Sequence, residues 1–221
     1  MTIRICVSIL PKNLNDAKSL IEKAENSHID LIEVRLDNIE SGSLNLLSTG
    51  KTPKIATNRS TSITETGRQR SLFNAAKAGF EYVDLDIRTP DLTENINELA
   101  RLGAKSIVSF HEFSGTLDRK GLNKILERQI DSKAEVCKIV TTARKVEDNL
   151  PLLEFTSEAS AKAKLVCFAM GKQGKISRLL SPLFGAFFTF ASLDQKSETA
   201  PGQMTIREMR TAYRSLGATT R

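Results

Sequence analysis

Short β-branched and aromatic runs alternate with amphipathic helical stretches along the whole chain, and this alternation restricts the fold more than any other feature. Strand-like runs occupy residues 3–10, 30–36, 54–58, 82–87, 106–110, 135–140, 164–170 and 186–190. Between them apolar residues recur at helical spacing over 13–25, 69–78, 92–102, 119–129, 149–161 and 175–180, and a last such stretch, 204–216, follows the final run. The weakest helical pattern is at 40–47. Strands alternating with helices imply a parallel sheet with helical crossovers. Eight such units in 221 residues predict an α/β fold, a compact (β/α)8 TIM barrel formed as one domain over 1–221. A doubly wound open sheet is the structural rival. Counting units does not separate the two, but the placement of polar residues on the strands does.

Strands of a closed parallel barrel are buried on both faces and should be almost wholly apolar. Several here are not. In the run 31–36 the two-residue period puts Glu33 and Arg35 on one face and Ile32, Val34 and Leu36 on the other. The apolar face suits packing against helices, so the two charges point inward. Ser8 lies near the end of the first strand and Arg59 just past the third. Asp84 and Asp86 share a face of the fourth, and Ser109 and His111 a face of the fifth. Lys138 interrupts the apolar sixth strand, and Arg178 follows the seventh. Each residue taken alone has a structural explanation: a satisfied ion pair, a core histidine, a snorkelling lysine. Together they cluster at the C-terminal ends of successive strands, where barrel active sites are built. Burying them without purpose would cost several kcal/mol per unpaired group.

The constellation suits carbonyl chemistry. Burial and neighbouring cations are expected to lower the pKa of a lysine in an apolar strand. The neutral amine can attack a ketone or aldehyde to give an iminium that acidifies the adjacent C–H. His111, on the neighbouring strand, can then move that proton. No HExxH, CxxC, GxxxxGKS/T or GxGxxG pattern calls for a metal, a P-loop or a dinucleotide, so no cofactor is expected. Gly171-Lys172-Gln173-Gly174 could contact an anion through its amides, though a plain turn explains it equally well. Cys6, Cys137 and Cys167 are odd in number and far apart, which predicts buried reduced thiols. The net charge of +6 raises a nucleic-acid hypothesis, but acids are interspersed throughout and aromatics make up only 5%. No nucleic-acid partner is expected. The apolar runs are too short to cross a bilayer, and Met1 leads almost directly into a strand without a basic n-region. Those features predict a cytoplasmic protein without a membrane partner.

Read from the residues alone, the chain is a Schiff-base lyase or aldolase for a polar, anionic carbonyl compound. At this point it resembles the type I 3-dehydroquinate dehydratases. Glu33-Val34-Arg35-Leu36-Asp37 looks like that family's ExR(L/V)D strand, and Arg59-Ser60 like the Arg-Ser after strand three. Ser109-Phe110-His111-Glu112-Phe113 resembles the segment bearing the catalytic histidine, and Lys138-Ile139 the Schiff-base strand. Met170-Gly171, followed by Gly174 and Ser177-Arg178, resembles MGxxGxxSR, and Ala200-Pro201-Gly202-Gln203 the closing APGQ. Six motifs in the right order are far more specific than one.

The resemblance implies that Lys138 forms an imine with the C3 ketone of 3-dehydroquinate and that His111 moves the protons of a syn elimination of water. It implies that Arg178 holds the substrate carboxylate. Glu33, Arg35, Arg59 and Gln203 would bind the ring hydroxyls, Phe190 would wall the pocket, and Ser8 would line it. A homodimer is the family's expected assembly. Two positions depart from the pattern. Ile63 stands at the spacing of the carboxylate that partners the histidine, and Glu65 takes that place if the loop carries a two-residue insertion. Thr199 stands where the family usually has a serine before APGQ, with Ser197 as the competing residue. The rival readings are a class I aldolase or transaldolase, sensitive to phosphate, and a non-catalytic basic binding module with steeply salt-dependent binding.

Overall fold

The structure, a computed structural model, describes residues 2–39 and 41–220. Eight parallel strands run in chain order around a nearly closed barrel. They are β1 (Ile5–Ile9), β2 (Leu31–Arg35), β3 (Lys54–Thr57), β4 (Tyr82–Asp86), β5 (Lys105–His111), β6 (Val136–Thr142), β7 (Leu165–Met170) and β8 (Thr189–Ala191). The ladder joins β1 back to β8, with Cys6 beside Phe190. The remaining seam, between β7 and β8, is bridged by a backbone hydrogen bond from Phe187 N to Leu165 O, 2.7 Å. Across it the rings of Phe168 and Phe190 meet edge-on, with centroids 6.0 Å apart. The open doubly wound sheet is thereby excluded.

Among the described residues seven helices cover the outside: α1 (Leu14–Glu25), α2 (Glu65–Lys77), α3 (Leu92–Arg101), α4 (Arg119–Asp131), α5 (Leu150–Ala159), α6 (Lys175–Leu180) and α7 (Ile206–Ser215). Where a helix was expected over 40–47, the chain makes a 3-10 turn, Ser41–Leu46; Glu40 lies outside the described residues. The three glycine and serine positions in SGSLNL give little helix propensity, and Leu44 and Leu47 dip into the core. Helix α2 starts four residues earlier than its apolar period suggested. The Thr64 hydroxyl accepts from Gly67 N at 3.1 Å, so a polar first turn is capped rather than packed. The expected first strand is split. Thr2–Ile3 pair in parallel with Thr219–Thr220 as a small separate ladder, and Arg4 turns outward onto the Phe187 ring.

Two distinct apolar layers hold the fold. One lies between strands and helices and includes Ile32, Val34, Leu85, Val108, Ile139, Leu122 and Met209. The other fills the barrel interior with Cys6, Leu31, Ile55, Tyr82, Ile107, Val136, Val166, Phe168, Phe188 and Phe190. All three cysteines are free and buried. The N-terminal members of this layer, among them Leu31, Ile55, Tyr82, Ile107 and Val136, close that end of the barrel, while Phe168 and Phe190 reach up to line the cavity above. On β1 to β6 the inward positions one pleat further along, Ser8, Glu33, Thr57, Asp84, Ser109 and Lys138, are the polar ones.

Candidate active site

Strand register brings the polar side chains to a single tier. Ser8 stands beside Glu33, Thr57 beside Asp84, and Ser109 beside Lys138. Every one of these is buried. Lys138 Nζ lies 3.0 Å from Asp84 Oδ2 and 3.4 Å from Glu33 Oε1, and 4.5 Å from the centre of the Phe190 ring. Ser8 donates to Glu33 Oε2, and Thr57 donates to Oε1 at 3.0 Å. Asp84 also accepts from Arg59 and from Ser109 Oγ at 2.7 Å. Arg35 is clamped by Asp37 through two hydrogen bonds, Nε to Oδ2 at 2.9 Å and Nη2 to Oδ1 at 2.8 Å. The same carboxylate accepts from Arg59 N at 3.2 Å. The tier is therefore one lattice of alternating charges, in which every carboxylate is paired.

This lattice reverses the expectation for Lys138. Burial works against its charge, but Asp84 and Glu33 outweigh burial and neighbouring Arg59, and the ammonium's pKa is raised above the ordinary lysine value. The carboxyl groups respond in kind. Burial alone would raise Glu33, yet Lys138 and Arg35 bring it below its ordinary value. Arg59 and Lys138 hold Asp84 far below the usual carboxylate range. His111 behaves oppositely: burial, with Lys138 and Arg59 close by, pushes it down to about 3. At neutral pH the imidazole is thus unprotonated and can accept a proton.

Arg178 completes the inner cavity of about 90 Å³, which it lines together with Lys138, Glu33, His111, Phe190 and Gln203. Its guanidinium is buried, and Nε and Nη2 have no hydrogen-bond partner. It lies 4.3 Å above the Phe168 ring, and burial pulls it down to about 10. A buried cation with unpaired donors facing a cavity is a preformed anion site. Its position follows from α6: Ser177 N donates to Asn149 Oδ1 and Ala169 N to Ser177 Oγ, both at 2.9 Å. Thr189 Oγ1 donates to the Arg178 carbonyl at 2.6 Å.

An outer vestibule of about 590 Å³ leads down to His111 and Arg59 and carries Glu65, Arg68, Asp86, Arg88 and Thr199 on its walls. Glu65 is bound to Arg68, and no hydrogen bond joins it to His111, whose ring instead stacks with that of Phe113. Arg68 Nη1 also donates to the carbonyls of Ser60 and Ile63, at 2.8 and 3.2 Å. The loop is wound around this arginine with Ile63 exposed. Thr199 lines both cavities; its N donates to Gln203 Oε1 at 2.8 Å, and Gln203 Nε2 donates to its hydroxyl at 3.1 Å. Ser197 bonds instead to Asp194, through Asp194 N at 2.9 Å and O at 3.1 Å.

The 200–203 segment is latched to the loop after β7. Gly171 N donates to Pro201 O at 3.0 Å. Gly202, at φ +78°, comes so close that a Cβ there would lie 2.1 Å from the Gly171 carbonyl oxygen. Both the conformation and the space demand glycine. Gly202→Ala should keep the barrel's melting temperature but lift the segment off Gly171, displacing Thr199 and Gln203 from the cavity. The expected loss in kcat/KM is about 10–100-fold, measured by steady-state kinetics beside a thermal melt.

Of the residues singled out along the chain, Glu33, Arg35, Arg59, His111, Lys138, Arg178, Phe190, Thr199 and Gln203 meet on the inner cavity, whereas Ser8, expected to line it, is fully buried against Glu33. Asp84, Ser109 and Thr57, to which the sequence reading gives no task, complete the same tier. Their signal was the inward pleat position. Asn149 and Thr189, which set Arg178, gave none, because their partners are backbone groups far away in sequence.

Fold and site together define an α/β-barrel enzyme for a small anionic molecule, built around a buried lysine between two carboxylates. The profile of the Type I 3-dehydroquinase family matches residues 5–220, and the chain belongs to that family. Its relatives include the 3-dehydroquinate dehydratase of Syntrophobacter fumaroxidans, 32% identical over 97% of each chain. That of Dehalococcoides mccartyi is 40% identical over 69% of this chain and 68% of its own. Among solved structures, the 3-dehydroquinate dehydratase of Geobacillus kaustophilus superposes with a TM-score of 0.90 at 25% identity, covering 98% of this chain and 92% of its own.

Proposed function

We infer that this chain dehydrates 3-dehydroquinate to 3-dehydroshikimate in the shikimate pathway of aromatic amino-acid biosynthesis, through an imine on Lys138. The observation that carries this reading is the meeting of three groups on one small cavity: the Lys138 amine, a neutral His111 and the unpaired Arg178 guanidinium. Arg178 binds the substrate carboxylate. Thr199, Gln203, Arg35 and Arg59 hold the ring hydroxyls, Phe190 walls the pocket, and Ser8 steadies Glu33. When Glu33 turns to a hydroxyl, one of the two counter-ions leaves Lys138 and its hold on its proton weakens. The amine then attacks the C3 ketone. His111 takes the C2 proton and returns it to the departing C1 hydroxyl, so that water leaves. Glu65 reaches His111 only by leaving Arg68.

The test is borohydride reduction in the presence of 3-dehydroquinate followed by peptide mass spectrometry. A reduced adduct mapping to Lys138 is expected, and folded protein yielding none would remove the covalent reading. A homodimer belongs to the same proposal. It is supported by the exposed apolar side chains of Val146, Leu150 and Ile176, carried on elements that Asn149 ties together through Val146 O, Gln173 O and Ser177 N. A cytoplasmic location is proposed as well; among the described residues no helix is long and apolar enough to cross a membrane.

Arg178 supplies a separate prediction. Arg178→Met should weaken substrate binding by about 2–5 kcal/mol. Because a buried guanidinium with two donors lacking partners disappears, the substrate-free protein should be at least as stable as wild type. Steady-state KM and thermal melts without ligand check the two halves.

A further inference from the structure

The reaction proposed above needs a positive nitrogen. When the amine adds to the ketone, a C–N bond forms and the carbonyl oxygen leaves as water, so the nitrogen becomes an iminium with one hydrogen. Cleavage of the neighbouring C–H sends the proton to His111; its electron pair forms a C=C bond and the C=N π pair moves onto nitrogen, which gives a neutral enamine. Loss of the hydroxyl, protonated by His111, draws that electron pair back and restores the iminium. A neutral imine is a poor electron sink, so any iminium that loses its N–H stalls the cycle. Something must hold the charge on the nitrogen.

Two carboxylates face Nζ, and they differ in freedom. Glu33 lines the inner cavity and accepts only hydroxyl donors besides Lys138. Apart from Lys138 no cation among the described residues hydrogen-bonds it, so it is the carboxylate that yields to a substrate hydroxyl. Asp84 is pinned by Arg59 and Ser109 and has no solvent exposure. It is also the nearer, 3.0 Å against 3.4 Å. We propose that Asp84 is a catalytic residue of this reaction, the fixed counter-ion that keeps the Lys138 imine protonated while the adjacent C–H bond breaks and the hydroxyl leaves. The assignment rests on the Lys138 imine reading and adds to it the group that makes the imine reactive.

The other charged or titratable groups facing this nitrogen are Cys6 from β1, Glu33 and Arg35 from β2, Arg59 after β3, His111 from β5 and Arg178 from α6. Asp86, on the same strand as Asp84, faces Arg59 and Arg88. Cys6 remains a thiol, since burial raises it well above its ordinary value. The arginines stay charged, and His111 stays neutral at working pH. Near neutrality the imine nitrogen is then the group whose proton Asp84 controls.

The experiment compares wild type with Asp84→Asn by the pH dependence of kcat and of cyanoborohydride trapping at saturating 3-dehydroquinate. In Asp84→Asn the imine should lose its proton at lower pH. Its kcat should fall roughly tenfold or more at about pH 9 and recover toward about pH 6, with trapping lost in parallel and KM little changed. A loss uniform across pH, or an unchanged profile, overturns the assignment. Should Asp84→Asn fail to fold, Asp84→Glu carries the test. It keeps the charge that Arg59 and Ser109 bind but moves it along by one methylene, and the same alkaline loss is expected in smaller measure; an unchanged profile again overturns the proposal. Wild-type protein that gives no adduct on Lys138 removes the imine reading itself, an outcome distinct from a wild-type adduct beside an unshifted variant.

Discussion

Lys138→Ala is expected to abolish the reducible adduct and turnover together, and in addition to weaken the fold. The second effect follows from the lattice around the lysine. Removing its ammonium leaves Glu33 with only the hydroxyls of Ser8 and Thr57 and leaves Asp84 with Arg59 and Ser109. Breaking a buried ion pair by deleting one partner costs about 3–5 kcal/mol, roughly 10 °C in melting temperature for a chain of this size. Adding Glu33→Gln to the variant should restore part of that loss, because the stranded charge is then gone. The pH dependence gives a sharper signature. A lysine whose pKa is raised by folding stabilises fully below its unfolded value, about 10.4, and this contribution fades as pH rises through the folded value. Wild type should therefore lose more stability in that alkaline window than Lys138→Ala, which keeps only the alkaline loss due to its buried cysteines, Tyr213 and Lys105. Glu33 and Asp84 have lowered pKa values, so their contribution is present at neutral pH and lost on acidification through their folded values. Without Lys138 those values rise, and the acid loss should begin at higher pH. Thermal melts across pH for the three proteins check all of this; equal stability of Lys138→Ala and wild type throughout would contradict the ion-pair account.

What the sequence made legible and what it hid divide along physical lines. Barrel strands announce themselves because period-two placement of Glu33, Arg35, Asp84, Ser109 and Lys138 is incompatible with a wholly apolar strand unless one face meets a polar cavity. The tier could be listed from that pattern. Its pairing could not, since Lys138 meets Asp84 and Glu33 across strands 54 and 105 residues away. That missing step explains why the lysine's charge was misjudged. Burial and nearby cations are local inferences from an apolar run, whereas the two carboxylates that outweigh them depend on barrel closure and register. The loops were least legible. Glu65 and Ile63 differ by two positions, and only the winding of the 60–65 segment around Arg68 shows that the carboxylate is tied to an arginine while the isoleucine faces solvent. The short ladder of Thr2–Ile3 with Thr219–Thr220 was invisible for a related reason: two-residue strands carry no period.

His111→Ala should separate the covalent step from the proton transfers. The amine of Lys138 remains between its two carboxylates in this variant, so the imine can still form. What is lost is a base about 10²–10⁴-fold effective in moving the C2 proton. The expected result is a kcat lowered by about that factor, with borohydride labelling of Lys138 that persists or increases because the covalent species accumulates. If imine formation and hydrolysis also pass through the imidazole, labelling appears slowly but reaches the same extent. The electrostatics make a second, independent demand. Burial with Lys138 and Arg59 beside it brings His111 down to about 3 in the substrate-free protein, so the histidine is already neutral across the whole working range. The kcat/KM profile of wild type should then show no limb near the ordinary histidine value of about 6.5. Any acid limb belongs well below it, while the alkaline behaviour of kcat/KM reports the Lys138 ammonium of the free enzyme. A limb centred near 6.5 that vanishes in His111→Ala would mean that the imidazole is solvated and ordinary in the working enzyme. The cation field of the tier would then not be what keeps it ready to act as a base.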